Sequence, residues 1–190
     1  MVRPPEILID IEPYQEFPVK AAYAFALVLG SAAAVFGVVF DPQHKVIWNR
    51  SASAPEGFYW LTDRPLLKGQ WAVLSAGSTA AEWAENRGYV GADWPLLKKV
   101  AGLPGDTICR EGVTIFINDQ QAAEARLVDT QGRDLPSWSG CRTLSAGEVF
   151  LLSPHPSSLD GRYFGPVPEA DILGVAVPLI VSSAHRPSAE

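Results

Sequence analysis

At residues 96–106 the chain reads Leu96-Leu97-Lys98-Lys99-Val100-Ala101-Gly102-Leu103-Pro104-Gly105-Asp106. The second half of this stretch contains two glycines and a proline, so the backbone is predicted to turn tightly there. The first half places two lysines within an apolar run. A lysine held against apolar side chains loses hydration and its pKa falls, which turns a cation into a possible general base.

Either Lys98 or Lys99 could be such a base, but not both, because neighbouring residues of a strand point to opposite faces. A free lysine, with a pKa of about 10.4, is uncharged in only about one molecule in 2,500 at pH 7. Lowering this pKa by about two to three pH units requires about 3–4 kcal/mol of destabilisation of the cation. Burial can provide it, and Leu97 and Val100 give Lys98 suitable neighbours. The residues alone do not decide between the two lysines.

A nucleophile for this base is available in the loop Ser51-Ala52-Ser53-Ala54-Pro55. Its small residues would let a substrate backbone approach closely. From composition alone, the same segment is more typical of an ordinary Ser/Ala linker. It is followed by a turn at Pro55-Glu56-Gly57 and by an aromatic run at 58–61 that favours a strand.

Other catalytic arrangements have less support in the sequence. His44 and His185 lie near the polar ends of the chain, and His155, between two prolines, could in principle act with Asp160. There is no Gly-x-Ser-x-Gly nucleophile motif, and no group of residues has metal-ligand spacing. The sequence therefore predicts neither a metal nor a cofactor, and a serine paired with a lysine is the arrangement that remains.

Residues 21–40 contain no charged side chain. A helix of this length, at about 1.5 Å a residue, covers about 30 Å, the thickness of the hydrocarbon core of a bilayer. A retained transmembrane anchor is predicted here. Two alternatives stay open: a buried helix of a soluble protein, and a signal peptide cleaved near Ser31-Ala32-Ala33-Ala34. Lys and Arg are balanced on the two flanks, so they do not determine the orientation.

Three parts are therefore predicted: an N-terminal tail at 1–20, a transmembrane anchor at 21–40 and one soluble domain at 41–190. The 190 residues carry a net charge of -6, and no basic patch indicates a nucleic-acid partner. A lipid bilayer is the partner that the apolar segment predicts. The soluble part has many short apolar segments separated by Gly and Pro turns, which predicts a mainly β fold.

Within the soluble part, residues 78–87 are predicted to form a short helix, with Thr79 and Glu82 at capping-box spacing and Gly88 as its stop. Residues 127–138 are polar and contain Pro and Gly, which predicts a loop. Strands, besides the one at 58–61, are predicted at 71–75, 107–109, 113–117, 149–152 and 173–180.

Residues 96–106 resemble the lysine box of type I signal peptidases, in which the lysine four residues before the first glycine is the general base; here that is Lys98. Residues 157–169 and 172–176 resemble the C-terminal box of the same family. The serine loop is similar to the TraF branch, the peptidases of conjugative transfer systems. Its Ser-x-Pro-x-Gly-x-Tyr pattern lies within Asn49-Arg50-Ser51-Ala52-Ser53-Ala54-Pro55-Glu56-Gly57-Phe58-Tyr59.

The resemblance, which runs from about residue 49 to residue 180, implies a role for each matching residue. Ser53 would be the nucleophile and Lys98 its base. The Ser51 hydroxyl and the Ser53 backbone N–H would stabilise the tetrahedral oxyanion. Ser158 would hydrogen-bond the lysine and orient it.

Asp160 and Arg162 match a structural ion pair behind the site. Three departures from the family pattern surround them. Leu152-Ser153-Pro154-His155 stands where the C-terminal box usually opens with Gly-Asp-Asn-Arg, Gly161 stands where serine is usual, and Gly69-Gln70 stands where Gly-Asp is common. These departures concern the support of the site more than its two reactive residues.

The resemblance further implies a β-rich catalytic domain of the signal peptidase/LexA type behind one N-terminal transmembrane helix. The family acts on the outer face of the bacterial inner membrane, so the protein would cross it once, with its catalytic domain in the periplasm. That compartment would allow a Cys109–Cys141 disulfide, with two reduced core thiols as the alternative.

Similarity to the TraF branch implies a serine endopeptidase that processes a pilin precursor for a conjugative type IV secretion system. The product would be a linear or a cyclic pilin. Three alternatives stay open: a general signal peptidase of other exported precursor proteins, a LexA-type self-cleaving repressor, and a non-catalytic assembly or chaperone subunit of the secretion apparatus. The repressor should carry a DNA-binding domain where this chain has its apolar segment.

Overall fold

The structure, a computed structural model, describes residues 19–39 and 45–182. The chain forms two compact units, Met1–Pro42 and Gln43–Glu190. Residues 1–18 of the predicted tail, together with His44 and His185, lie outside the described residues.

The described part of the first unit is one helix, α1, at Val19–Val39. Its segment Val19–Gly37 has a mean hydropathy of 1.8 and is long and apolar enough to cross a membrane. Residues 19–37 are all exposed, whereas the core helix of a soluble protein buries one face at least. The helix begins two residues before the predicted anchor and includes Lys20 in its first turn.

The second unit is mainly β. Its two α-helices among residues 45–182 are α2 at Thr79–Asn86 and α3 at Gly161–Phe164. Its strands, β1 to β11, lie at Val46–Asn49, Gly57–Thr62, Trp71–Leu74, Leu96–Gly102, Thr107–Glu111, Thr114–Ile117, Gln120–Glu124, Gly140–Thr143, Glu148–Leu152, Val167–Pro168 and Ile172–Val181.

The strands form two antiparallel sheets. The larger sheet has seven strands in the order β1-β2-β11-β3-β4-β9-β10, and the smaller has four in the order β7-β6-β5-β8. The predicted mainly β fold behind one N-terminal apolar helix is thereby confirmed. Because β4 lies between β3 and β9, the residues of the lysine stretch are held from both sides: Lys98 pairs with Ala72, and Lys99 pairs with Leu152.

Three apolar clusters form the core. The first packs α2 against the larger sheet through residues such as Ala81, Leu96 and Val100. The second surrounds Tyr59 and includes Leu97. The third lies between the smaller sheet and β9, with Ile108, Ile115, Leu144, Phe150 and Leu152 as its buried members. Alternate residues of β4 therefore enter different clusters, as the two faces of a strand require.

The structure corrects some predicted elements. Ser78, not Thr79, caps α2, since its side chain accepts a hydrogen bond from the Ala81 N–H at 3.3 Å. The third residue after Ser78 is Ala81, so the predicted capping box of Thr79 and Glu82 does not form. Gly88 follows the helix with φ of +74°, as its predicted role as a stop requires. Strands β1, β7, β8 and the two-residue β10 were not predicted. β7 and β8 are polar and largely exposed, so their sequences lack the apolar alternation that indicates a strand.

Asp106 closes the tight turn between β4 and β5. Its carboxylate accepts hydrogen bonds from the Leu103 N–H at 2.7 Å, from Lys68 Nζ at 2.6 Å and from Asn118 Nδ2 at 2.7 Å. Burial raises the pKa of Asp106, but these hydrogen bonds outweigh burial and the pKa falls below its usual value. Gly105, with φ of +96°, gives the turn a backbone conformation that other residues rarely adopt.

A disulfide joins Cys109 to Cys141 at directly paired positions of β5 and β8, 32 residues apart in sequence. Closing a loop of this length reduces the entropy of the unfolded chain by an amount worth about 3–4 kcal/mol. We expect the double variant Cys109→Ser/Cys141→Ser to lose about this much free energy of unfolding, measured by urea denaturation of the detergent-solubilised chain. Wild type treated with a reductant should behave like the double variant. Equal stability of oxidised wild type and the double variant would contradict the expectation.

Candidate active site

The fold separates the two adjacent lysines of β4. Lys98 is only 5% exposed and lies on the face of the strand that also carries Leu96 and Val100. Lys99 points to the opposite face, where its Nζ lies 5.2 Å from the centroid of the Trp71 ring. The alternation of side chains along β4 thus leaves Lys98 as the buried amine, a choice that local composition left open.

The Lys98 amine contacts two hydroxyl groups. Its Nζ lies 3.3 Å from Ser53 Oγ and 2.9 Å from Ser158 Oγ. Burial lowers the pKa of Lys98 from 10.5 to about 8, an effect that Asp160 opposes and Arg162 reinforces. With this pKa, roughly one molecule in ten has a neutral amine at pH 7. A neutral amine can donate to Ser158 Oγ while it accepts the proton of the Ser53 hydroxyl.

Ser53 lies in the serine turn, as we call residues 50–56 between β1 and β2. The Ser51 and Ser53 Oγ atoms are 2.9 Å apart, and Ser51 Oγ also lies 2.9 Å from Asn49 Oδ1. Among the residues that the structure describes, the backbone N–H of Ser53 has no acceptor. This N–H can therefore donate to an oxyanion that forms beside Ser53, and the Ser51 hydroxyl can do so when it releases Asn49 Oδ1.

Asn49, the last residue of β1, holds the serine turn together. Its Nδ2 donates to the backbone carbonyls of Ser51 at 3.0 Å, Ala54 at 3.0 Å and Pro55 at 3.1 Å. Its Oδ1 accepts a hydrogen bond from the Ser51 N–H at 3.2 Å. Asn49 lies in the stretch that resembles the TraF-branch pattern, but no role was predicted for it. An asparagine immediately before a turn of small residues was the available indication.

Ser153 was not predicted to belong to the site. It follows β9 directly, is 3% exposed, and its hydroxyl donates to the backbone carbonyl of Ser53. Its own N–H donates to Asp160 Oδ2 at 2.9 Å, and its carbonyl accepts from Arg162 Nη2. Ser153 therefore connects the serine turn to the support behind Lys98.

Asp160 and Arg162 are each 3% exposed. Asp160 Oδ1 lies 3.5 Å from Arg162 Nε and accepts a hydrogen bond from the Arg162 N–H at 3.2 Å, which caps α3. Arg162 Nη1 donates to the carbonyls of His155 and Pro156 at 3.0 and 3.1 Å. Burial raises the pKa of Asp160, while the charges of Arg162 and Lys98 oppose the rise. Most of the hydrogen bonds of Arg162 thus go to carbonyl groups of the segment before α3.

Gly161, which lies between Asp160 and Arg162, is a glycine for a steric reason. A Cβ atom at Gly161 would lie 2.6 Å from the carbonyl oxygen of Leu151 and 2.6 Å from Cε2 of Phe150. Both distances are far below van der Waals contact, so α3 packs against β9 too closely for any side chain at this position. The packing of this chain therefore explains why glycine stands at position 161, where the family pattern usually has serine.

The histidine alternative finds little support in the geometry. His155 Nδ1 accepts a hydrogen bond from the Ser157 N–H at 3.2 Å. The Ser53 hydroxyl faces the Lys98 amine and the Ser51 hydroxyl instead. Within the described residues, no group of three or more His, Cys, Asp or Glu side chains could hold a metal ion.

Ser53 and Lys98 open onto a groove of about 920 Å³. One wall is formed by residues 46–53 and another by residues 94–98. The Arg50 guanidinium lies 4.0 Å from the centroid of the Trp94 ring and so connects the two walls. The Ser53 hydroxyl and the Lys98 amine are thus accessible from this groove.

A sequence model of the family described as signal peptidase, peptidase S26, matches residues 19–180. A plasmid transfer protein TraF of Escherichia coli is 31% identical over 162 residues, which cover 80% of this chain and 90% of the relative. The probable conjugal transfer protein TraF of Sinorhizobium fredii is 34% identical over 139 residues, which cover 67% of this chain and 73% of the relative.

The structure is also similar to that of a signal peptidase I from Enterococcus faecalis. The match covers 60% of this chain and 98% of that chain, with 21% sequence identity and a TM-score of 0.35.

Proposed function

The chain belongs to the signal peptidase family, peptidase S26, and on this basis we propose that it is a membrane-anchored serine endopeptidase with Ser53 as nucleophile and Lys98 as general base. The observation that carries the proposal is the distance of 3.3 Å between Lys98 Nζ and Ser53 Oγ. The amine is buried, and its pKa is lowered to about 8. Helix α1 has the length and composition of the anchor.

In the first step, the neutral Lys98 amine accepts the proton of the Ser53 hydroxyl while Oγ attacks the carbonyl carbon of the scissile peptide bond. Negative charge develops on the carbonyl oxygen. The Ser53 N–H stabilises this charge, as does the Ser51 hydroxyl once it turns away from Asn49. Ser158 accepts a hydrogen bond from the amine and so keeps its lone pair directed at Ser53.

The tetrahedral intermediate then collapses. The Lys98 ammonium donates its proton to the leaving amine, the peptide bond breaks, and the substrate's acyl group stays bound to Ser53 as an ester. In the second step a water molecule or an amine attacks this ester, and Lys98 accepts the proton of the attacking group. The ester breaks, Ser53 regains its hydrogen, and the product leaves.

The substrate that we propose is a pilin precursor of a conjugative type IV secretion system, processed by a catalytic domain in the periplasm. The TraF names of the relatives point to plasmid and conjugal transfer, and the groove beside Ser53 has room for an extended segment. Attack by water on the ester would give a linear pilin. Attack by the precursor's own amino terminus would give a cyclic pilin.

The proposal is tested by co-expressing the full chain with the pilin precursor of the same conjugative element and measuring the mass of the pilin. We expect a product shorter than the precursor, with a cyclic product lighter than the linear one by one water. The matched control is Ser53→Ala, which should leave the precursor uncut. An unrelated exported preprotein serves as a second substrate, and equal cleavage of both would favour a general signal peptidase. A precursor left intact by wild type and variant alike would overturn the proposal.

A further inference from the structure

The serine turn has little internal structure to fix its orientation. The one backbone hydrogen bond within it, from the Ala54 N–H to the Ser51 carbonyl, is long at 3.4 Å. Its side chains between residues 51 and 54 are small; Ala54 is buried in the second apolar cluster, and the Tyr59 hydroxyl donates to the Pro55 carbonyl at 2.7 Å. Yet the hydroxyl of Ser53 must stay within hydrogen-bond distance of Lys98, on a different strand. These contacts anchor Ala54 and Pro55, so the position of Ser53 itself depends on further contacts.

Asn49 supplies such contacts from the side of β1. It is 8% exposed, and a single amide group binds three backbone carbonyls of the turn, those of Ser51, Ala54 and Pro55. Its Oδ1 atom accepts from both the N–H and the hydroxyl of Ser51. These bonds fix the turn to the end of its own strand, but they do not connect it to Lys98.

Ser153 supplies the connection from the side of Lys98. β9 ends at Leu152, which pairs with Lys99 on β4, so Ser153 follows a residue that is anchored next to Lys98. Its hydroxyl binds the carbonyl of Ser53 itself. Its backbone is bound at both polar groups by Asp160 and Arg162, which leaves its side chain little freedom to move.

Neither side chain engages the N–H or the hydroxyl of Ser53, although Asn49 Oδ1 accepts a hydrogen bond from the Ser51 hydroxyl. They bind carbonyl oxygens of the turn, while the N–H of Ser53 has no acceptor among the described residues and its hydroxyl faces Lys98. A carbonyl held in one direction fixes the plane of its peptide group, because that group is rigid. Holding the carbonyls of residues 51, 53 and 54 therefore restricts the direction of the Ser53 side chain that lies between them.

We propose that Asn49 and Ser153 are positioning residues that clamp the serine turn by its carbonyl groups and so hold the Ser53 hydroxyl against the Lys98 amine. The proposal rests on the proposed function, since it concerns the same nucleophile. It also accounts for Ser153, which stands at a position where the family pattern has another residue. The Ser153 hydroxyl makes a direct hydrogen bond to the backbone carbonyl of the nucleophile, Ser53.

The test measures kcat and KM of the full chain in detergent on a peptide that spans the cleavage site. We expect Ser153→Ala to lower kcat about 10–100-fold, because displacement of a reacting group by about 1 Å costs a factor of this size, and to change KM little. Ser153→Thr keeps the hydroxyl and should restore most of the rate. The matched control is Ser145→Ala, an exposed serine before the other end of β9, which should behave as wild type.

A second variant makes the test independent of Ser153. Asn49→Asp keeps the size and the acceptor atom of the side chain but cannot donate to the three carbonyls, so kcat should fall about 10–100-fold again. Asn86→Asp, on the exposed end of α2, is its control. Thermal unfolding of every variant shows whether the assayed protein is folded. If Ser153→Ala were slow only because less of it is folded, the hydroxyl of Ser153→Thr would not restore the rate.

The outcomes separate this proposal from the proposed function. If Ser53→Ala and Lys98→Met are inactive but Ser153→Ala and Asn49→Asp cut at the wild-type rate, the clamp is wrong and the peptidase stands. If Ser153→Thr is as slow as Ser153→Ala, the hydroxyl is not the group that matters and the clamp is again wrong. If Ser53→Ala cuts the peptide at the wild-type rate, the proposed function is wrong, and the clamp proposal, which rests on it, is wrong as well.

Discussion

Replacing Lys98 with methionine is expected to lower kcat for peptide cleavage by about 10³-fold or more, because the variant has no group to accept the proton of Ser53. The same change should make the protein more stable at pH 7. Burial moves the pKa of Lys98 from 10.5 to about 8, which corresponds to about 3 kcal/mol of unfavourable free energy for the buried cation. Methionine fills the same space without a charge, so loss of activity would not be a consequence of unfolding.

The neighbouring residue gives the control for this prediction. Lys99→Met removes an equal charge one residue away, on the opposite face of β4 where the amine lies over Trp71, and should cut nearly as wild type does. Ser53→Ala should be as inactive as Lys98→Met, and the double variant should be no worse, since the two groups act in one step. The cleavage rate and the urea denaturation curve of each variant test this. Full activity in Lys98→Met, or similar losses in both lysine variants, would contradict it.

The rate of cleavage should rise steeply with pH up to about pH 8 and level off above it. Only the neutral amine of Lys98 can accept a proton, and its pKa is about 8. Below that pH, the neutral fraction and therefore kcat/KM should fall about tenfold for each pH unit, so that the rate at pH 6 is about one hundredth of the plateau. A base with an ordinary carboxylate or histidine pKa would give a plateau that begins at lower pH.

This profile is measured with a peptide that has no titratable group between pH 5 and 9. Stability supplies a check that does not depend on activity. Between about pH 8 and pH 10.5 the unfolded chain binds a proton at Lys98 that the folded chain does not, so the free energy of unfolding should rise with pH across this window. Lys98→Met should remove that rise. A rate that is constant from pH 6 to pH 9 would show that Lys98 is not the base.

Much of the fold followed from local patterns. Apolar segments of four to ten residues between Gly and Pro turns indicate strands, and the central and C-terminal strands were predicted close to where they lie. The uncharged run at 21–40 predicted α1, because a helix of that length matches the thickness of the hydrocarbon core of a bilayer. β7 and β8 escaped prediction because they are polar and largely exposed, and the backbone groups that pair them with their neighbours are present in every sequence.

The candidate site was predictable only as far as its motifs extend. Ser53, Lys98 and Ser158 stand in separate segments, and each was identified by resemblance of its own segment to a family pattern. Ser153 was noted as part of a departure from that pattern. Its contact with the Ser53 carbonyl joins residues 100 positions apart, and no local pattern records such a pairing.

The sequence on its own determined that an apolar helix precedes a β-rich domain and that a lysine in an apolar strand could act with a serine in a small-residue loop. These conclusions depend on side-chain chemistry and on periodicity over a few residues. Resemblance to the family's lysine box singled out Lys98 rather than Lys99, but only the tertiary structure placed its amine beside Ser53 Oγ, left Gly161 no room for a side chain and brought the Ser153 hydroxyl onto the Ser53 carbonyl. These contacts depend on how β4 and β9 pair and pack, and the order of residues along the chain does not state that pairing. The contacts of Asn49 are close in sequence, but they depend on how the serine turn folds back onto β1.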